Sequence, residues 1–228
     1  MPDFVIDPPR IATVPVAGSD ALFPVRRVYC IGRNYAAHAV EMGHDPDREP
    51  PFFFQKNPDN LDPSGEFPYP DHSDDVQFEV ELAVALKSGG RGIPVEDAMS
   101  HVWGYGVSLD MTRRDLQGQA KKMGRPWEVG KAFERSAPIG PLVPAGEWGT
   151  PGQGRIALVV NGETRQEGDL AQMIWKIPEM IAVLSDYFEL AAGDVILSGT
   201  PAGVGAIRPG DTMDAAVEGL PGLSVKVL

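Results

Sequence analysis

Sulfhydryls are almost absent from this chain: Cys30 is the one cysteine among 228 residues. No disulfide can form within it, which suits a reducing cytoplasm. Cys30 sits in an apolar stretch and reads as a small buried hydrophobe rather than a nucleophile. Positive charge is also short. Lys and Arg number 20 against 32 Asp and Glu, a formal net charge of −12, which argues against nucleic acid or an anionic membrane as a partner. No apolar run approaches the roughly 20 residues that cross a bilayer. Residues 1–10 lack the basic start and long apolar run of a secretory signal. There is no internal repeat and no low-complexity tract. What remains, with 43% hydrophobic residues, suits one soluble domain with a substantial core.

Turn-formers are plentiful, with 26 Gly and 22 Pro, so many short elements are expected rather than long helices. Residues 1–24 read as an irregular or edge-strand lead-in, and 25–228 as the main domain. Strands are expected near 26–31, 52–55, 77–86, 103–110, 155–167, 194–198, 211–217 and 223–228. The Asn161-Gly162 pair in the middle of 155–167 fits a type I′ hairpin turn. Helices are expected over 34–42, ending at Gly43, and over 94–100. Two more are expected over 112–123, with Thr112 and Asp115 as a capping pair, and over 169–187, where Pro178 should start or kink a helix. Strands with a few inserted helices point to an α+β fold, not a doubly wound sheet.

The chemistry gathers in a few places. In Gln77-Phe78-Glu79-Val80-Glu81-Leu82, strand alternation sends Phe78, Val80 and Leu82 one way and both carboxylates the other. Neighbouring carboxylates repel unless a cation sits between them. Asp110, closing the apolar run 103–110, offers a third acid. Oxygen-only ligation favours Mg²⁺, Mn²⁺ or Ca²⁺ over zinc. His38 and Glu41, three apart, share a helix face, and a carboxylate beside an imidazole fixes its tautomer and makes it a better proton acceptor. Lys56, Lys131 and the glycine-rich loop 198–205 are further candidates. Each feature has a plain alternative: a solvated sheet face without metal, a surface ion pair, a gatekeeper lysine, a tight turn. The stretch 124–132 suggests a phosphate-binding loop, but its glycine spacing is one residue too long and Ala132 stands where Ser or Thr would reach magnesium, so nucleotide hydrolysis is rejected. Met173, Ile174, Trp175 and Ile177 read as core.

Taken in order, Gly32-Arg33-Asn34-Tyr35-x-x-His38-x-x-Glu41, Phe54-x-Lys56, Glu79-x-Glu81-Leu82, Asp110-x-x-x-Arg114, Lys131 and Gly199-Thr200-Pro201-x-Gly203-Val204 resemble the fumarylacetoacetate hydrolase family. The likeness spans about residue 25 to the C-terminus. Stretches 44–54 and 121–127 are most like the bacterial fumarylpyruvate hydrolases of gentisate breakdown. Two departures stand beside it: Gln77-Phe78 where relatives often carry a histidine pair, and Lys56-Asn57-Pro58 where many have Lys-Pro.

The resemblance implies a mixed β-roll and a homodimer. It implies that Glu79, Glu81 and Asp110 hold Mg²⁺ or Mn²⁺. His38 and Glu41 would activate water, and Lys131 would bind the pyruvate end and stabilise the enolate that leaves. Arg33, Tyr35, Lys56, Arg114, Gln117 and Thr200 would bind a 2-keto acid substrate. The expected reaction is hydrolytic C–C cleavage of an acylpyruvate such as fumarylpyruvate. Oxaloacetate decarboxylation, 2-keto acid hydration or isomerisation, and a non-catalytic metal-binding scaffold remain as alternatives. A fumaryl tail carries its own carboxylate, for which Arg33, Lys56 and Arg125 are the candidate cations.

Overall fold

The computed structural model describes residues 4–41, 50–149 and 151–228. The expected helix end at Met42-Gly43, and 44–49 of the first stretch of closer resemblance, lie outside them. Among the described residues the strands form two main sheets. The larger has the order Val143–Pro144, Val102–Leu109, Val80–Leu86, Asp194–Leu197, Arg27–Gly32, Phe52–Lys56. The second runs Glu163–Asp169, Arg155–Val160, Thr212–Val217, Leu223–Val227, Glu66–Phe67. Helices are few and short, the longest being Ile177–Tyr187, as an α+β chain requires.

Period-two alternation divides the larger sheet between two cores. Tyr29, Ile31, Leu82, Val84, Tyr105, Val107 and Ile196 join the main core, where the second sheet contributes Ile156, Leu158, Met213 and Val225. Val28, Cys30, Ala83, Ala85, Val195 and Leu197 face a smaller core with Ile139, Leu142, Val14 and Phe23. The last two come from the lead-in, which forms a hairpin of Thr13–Pro15 with Leu22–Pro24. Its Val14 is fully buried, so this part of the lead-in packs into the body of the protein.

The 155–167 hairpin turns at Asn161 and Gly162, both at positive φ (52° and 84°), with Val160 opposite Glu163. Pro178 lies in the first turn of Ile177–Tyr187 and starts that helix without kinking it. Two expectations change. The strand expected over 77–86 breaks at Glu79: Val76–Phe78 pairs with Thr112–Arg113 and Gly205–Ala206 in a small separate sheet, and Val80–Leu86 belongs to the large one. Thr112 is not a helix cap. It pairs with Gln77 as strand, and the helix runs Arg114–Lys122. Its first turn is held by Asp115, which accepts from Ser73 Oγ at 2.7 Å and from the N–H groups of Asp74 and Leu116.

Candidate active site

Strand register brings the three acids together. Val80 lies opposite Leu109 and Glu81 opposite Ser108 in the antiparallel pair. One step further, the Asp110 N–H donates to the Glu79 carbonyl at 2.8 Å. Glu79, Glu81 and Asp110 therefore share the face carrying Ala83 and Ala85, at the end of the smaller core. One carboxylate oxygen from each lies within 4.8 Å of the others, and all three residues are buried.

Buried cations surround them. Lys131, delivered by the short helix Glu128–Lys131, donates to Glu79 Oε2 (2.8 Å), Asp110 Oδ2 (2.7 Å) and Thr112 Oγ1 (2.6 Å). Arg114 pairs with Glu79 and also donates to Gln77 and Gln117. Lys56 Nζ lies 2.9 Å from Asp110 Oδ1, an ion pair outside hydrogen-bond alignment, and donates to the Lys131 and Met111 carbonyls and Ser136 Oγ. Among the described residues the hydrogen-bond partner of the Glu81 carboxylate is the neutral Gly199 N–H, at 2.8 Å. Gly199 stands at φ +92°, and a Cβ there would come within 2.7 Å of Asn34 Cβ, so glycine is what allows that amide to approach.

The charges respond accordingly. Burial raises the Glu79 pKa, but Lys131 and Arg114 outweigh it and hold the carboxyl far below its ordinary value. Burial pushes the Glu81 carboxyl well up, and Asp110 and Glu79 push it further in the same direction. Burial lowers the Lys131 pKa, but Asp110 and Glu79 more than offset this and raise it. A carboxylate set in which one member's hydrogen-bond partner among the described residues is a neutral amide suits an oxygen-preferring divalent ion.

A cleft of about 460 Å³ opens over the cluster, lined by Arg33, His38, Glu79, Glu81, Arg114, Gln117, Lys121, Lys131 and Thr200 with Phe52, Phe54 and Trp127. His38 comes from the helix Ala36–Glu41, and its Nδ1 lies 3.1 Å from Glu41 Oε2. With Nδ1–H directed at the carboxylate, the imidazole lone pair is on Nε2. Glu41 is itself fixed by the Gly203 N–H, at 3.1 and 3.2 Å from its two oxygens. The helix carrying His38 thus docks on the glycine-rich loop.

Two expected substrate contacts lie elsewhere. Lys56 is buried beneath the cluster and does not line the cleft, because its ammonium is turned down onto Asp110 and the carbonyls below. Tyr35 is buried with its hydroxyl unsatisfied among the described residues and bridges in strand fashion to Met173, away from the cleft. Arg125 lines a neighbouring groove that shares Phe52, Phe54 and Trp127 with the cleft.

Three contributors were missed. Gln166 is fully buried on the second sheet. Its Oε1 accepts from Val80 N–H (3.0 Å), and its Nε2 donates to Thr200 Oγ1 and the Pro201 carbonyl (both 2.8 Å). It ties the backbone between the two glutamates to the Gly-Thr-Pro loop. Asn34 donates to the Ser198 and Trp175 carbonyls and accepts from Trp175 N–H, and its place in the Gly32-to-Glu41 motif was a signal for it. Lys121 lines the cleft, and its spacing of four and seven from Gln117 and Arg114 was legible.

The family model described as fumarylacetoacetate (FAA) hydrolase C-terminal matches residues 27–228. The chain belongs to that family. It is similar to a crystal structure of fumarylpyruvate hydrolase from Pseudomonas aeruginosa in complex with Mn²⁺ and pyruvate, at 52% identity and TM-score 0.97 over 99% of each chain. It is 43% identical to the oxaloacetate tautomerase YcgM of Escherichia coli (86% of this chain, 90% of that one). It is also 37% identical to the human mitochondrial oxaloacetate tautomerase FAHD1 (89% and 91%).

Proposed function

We propose that the protein is a metal-dependent hydrolase that cleaves the C–C bond of a 2,4-dioxo acid, fumarylpyruvate first among them, to give fumarate and pyruvate. One observation carries this reading: of three buried carboxylates within ligating reach of one another, Glu79 and Glu81 line a cleft together with His38, whose imidazole is paired with Glu41. The Pseudomonas aeruginosa structure, with its Mn²⁺ and pyruvate, supports it.

Glu79, Glu81 and Asp110 would hold Mg²⁺ or Mn²⁺, which when bound supplies Lewis-acid polarisation of a 2-oxo acid. The chain's own residues do the rest. Arg114, Gln117 and Thr200 orient the carboxylate end. Glu41 holds the imidazole, and His38 Nε2 accepts a proton from water. The resulting hydroxide adds to the distal acyl carbon. The C–C bond then breaks, its electron pair leaving with the pyruvyl fragment as an enolate and the acyl carbon becoming the carboxylate of fumarate. Lys131, charged across the neutral range, stabilises the developing enolate. Protonated His38 returns its proton to the enolate carbon, giving pyruvate.

The test follows the ultraviolet absorbance of enolised fumarylpyruvate, maleylpyruvate, acetylpyruvate and fumarylacetoacetate, with and without chelator. Metal-dependent loss of absorbance supports the reading, and none with any of the four overturns it. The tautomerase relatives favour a second reading, enol–keto conversion or decarboxylation of oxaloacetate. Oxaloacetate therefore joins the panel. The proposal includes a homodimer acting in the cytoplasm in gentisate-type aromatic breakdown, implied by the resemblance. No helix among the described residues is long and apolar enough to cross a membrane, and sedimentation of the purified protein tests the dimer.

A further inference from the structure

The short helix Glu128–Lys131 carries the ammonium that meets the acids, and so short a helix does not hold itself without outside contacts. Its position comes from what it touches. On one side Gly130 lies against the helix Arg114–Lys122, where a Cβ would come within 2.9 Å of the Gln117 nitrogen. At its end stands Lys56. The Lys56 Nζ donates to the Lys131 carbonyl, at the terminus where a helix leaves its carbonyls without partners of their own. The Ser136 hydroxyl donates to the same carbonyl at 3.0 Å and accepts from Lys56 Nζ at 3.0 Å.

The third hydrogen of this ammonium goes to the Met111 carbonyl, at 3.1 Å. Met111 follows Asp110 in the chain, and Asp110 Oδ1 lies 2.9 Å from the same Nζ. One buried group thus joins the strand Phe52–Lys56 to segments 55 and 75 residues away. These are the backbone beside an acid of the cluster and the backbone of Lys131. The two lysines also divide Asp110 between them: Lys56 faces Oδ1, and Lys131 donates to Oδ2 at 2.7 Å. Neutralising Asp110 would by itself need no bonds to carbonyls. What Lys56 adds is two backbone anchors, and both lie where the Lys131 ammonium gets its aim.

We propose that Lys56 is a positioning residue: it fixes the Lys131 carbonyl and the chain beside Asp110, and so aims the Lys131 ammonium at the place where negative charge develops on the substrate. This rests on the acylpyruvate reading above and deepens it. Lys56 itself meets no substrate and acts through Lys131.

Three measurements on the full-length protein test this, with K56M as the variant, since methionine keeps most of the side chain and loses the donors. Hydrogen exchange of residues 128–136 reads the anchor without any substrate. It should speed up there in K56M while the two main sheets exchange as in wild type. Calorimetry on the Mn²⁺-loaded protein compares oxalate, a planar dianion shaped like the pyruvate enolate, with pyruvate. The preference for oxalate should fall about tenfold, the scale of groups that orient a ligand from behind. Kinetics with fumarylpyruvate should show kcat lower by about 10–100-fold and KM little changed, because the enolate forms only after substrate has bound. S136A removes one bond of the same anchor and keeps both lysines. It should move the oxalate preference and kcat the same way by about threefold, and it carries the test if K56M folds poorly. Unchanged exchange at 128–136, or faster exchange there with kcat and the oxalate preference as in wild type, overturns the inference. Faster exchange across both sheets, or oxalate and pyruvate weakened alike, also overturns it, since a residue that only supports the fold would do that. Local loosening in the variants of a protein that turns over no dioxo acid overturns the hydrolase reading and leaves the anchor standing.

Discussion

Gln166→Leu tests whether one amide from the second sheet holds the active site in shape. The replaced side chain is fully buried and joins two segments, bonding Val80 86 residues before it and the Thr200-Pro201 loop. Leucine fills a similar volume but offers no donor or acceptor. The Thr200 hydroxyl can rotate to a new partner, whereas the Val80 N–H and the Pro201 carbonyl cannot. Each buried group left without a partner costs about 1–3 kcal/mol, so the loss should be about 2–6 kcal/mol, or roughly 5–20 °C in Tm for a chain of this size. Equilibrium urea unfolding of the metal-free protein gives the free energy, provided the slope with denaturant is unchanged. Calorimetric titration with Mn²⁺ then reads the second consequence: the backbone between Glu79 and Glu81 is released, so metal affinity should fall as well. Gln166→Glu keeps the acceptor for Val80 but sets a carboxylate against the Pro201 carbonyl, and it should be no better. A loss below about 1 kcal/mol, with metal affinity intact, would refute the reasoning.

Other expectations concern the charged groups. Lys131→Met removes an ammonium bonded to Glu79, Asp110 and Thr112; breaking a buried pair costs about 3–5 kcal/mol, and a melting temperature within 2 °C of wild type would contradict this. His38→Ala should slow hydrolysis by about 10²–10⁴-fold while Mn²⁺ affinity is retained, since the imidazole is not among the proposed ligands; steady-state rates and calorimetry check the two halves. For Asp115, partial burial raises the pKa, but the Ser73 hydroxyl and the Asp74 and Leu116 N–H groups lower it more. A depressed carboxyl contributes stability above its unfolded pKa of about 3.9 and loses it as pH falls through the folded value. Asp115→Asn should therefore flatten the fall in urea midpoint between about pH 5 and 3, and parallel curves for variant and wild type would count against it.

The parts legible in sequence share a physical reason. Alternation in 77–86 is local, so it showed that both glutamates leave the same face, and the antiparallel neighbour ending at Asp110 only had to be in register. The Asn161-Gly162 turn was legible because two consecutive positive φ angles suit those residues. What escaped was set by tertiary contact. Nothing in the sequence around Gln166 marks it as the bond between Val80 and Thr200. Thr112 has the chemistry of a cap, but pairing with Gln77 claims its backbone and Lys131 claims its hydroxyl. Lys56 was marked as a candidate because it ends the run 52–55; it pairs with Val28 as Phe54 does with Cys30, which puts it on the face of the sheet that carries Cys30. Which way a four-carbon stem turns its ammonium is decided by the acid below it.

The ionic cluster also bears on why this arrangement is kept. Six charged side chains meet here, with Lys56, Asp110, Lys131, Glu79 and Glu81 all buried and Arg114 nearly so. Buried ion pairs are weak evidence of stabilisation, since apolar residues of the same shape often do as well or better. A chain selected for stability alone has little reason to build this cluster, and less reason to place Glu81 where burial and two neighbouring acids oppose its charge. The cost is understandable if the cluster exists to meet a divalent ion: Lys131 and Lys56 neutralise enough charge for folding to proceed, and the amide-supported Glu81 keeps affinity for a cation. It follows that Glu81→Gln should fold at least as well as wild type without metal and lose most of the thermal stabilisation that Mn²⁺ confers. Stabilisation by ligand is about 2.7 kcal/mol at a hundredfold excess over Kd, several degrees for this chain. An equal Mn²⁺ shift in the variant would mean that the ion is held elsewhere and that the cluster serves the fold alone.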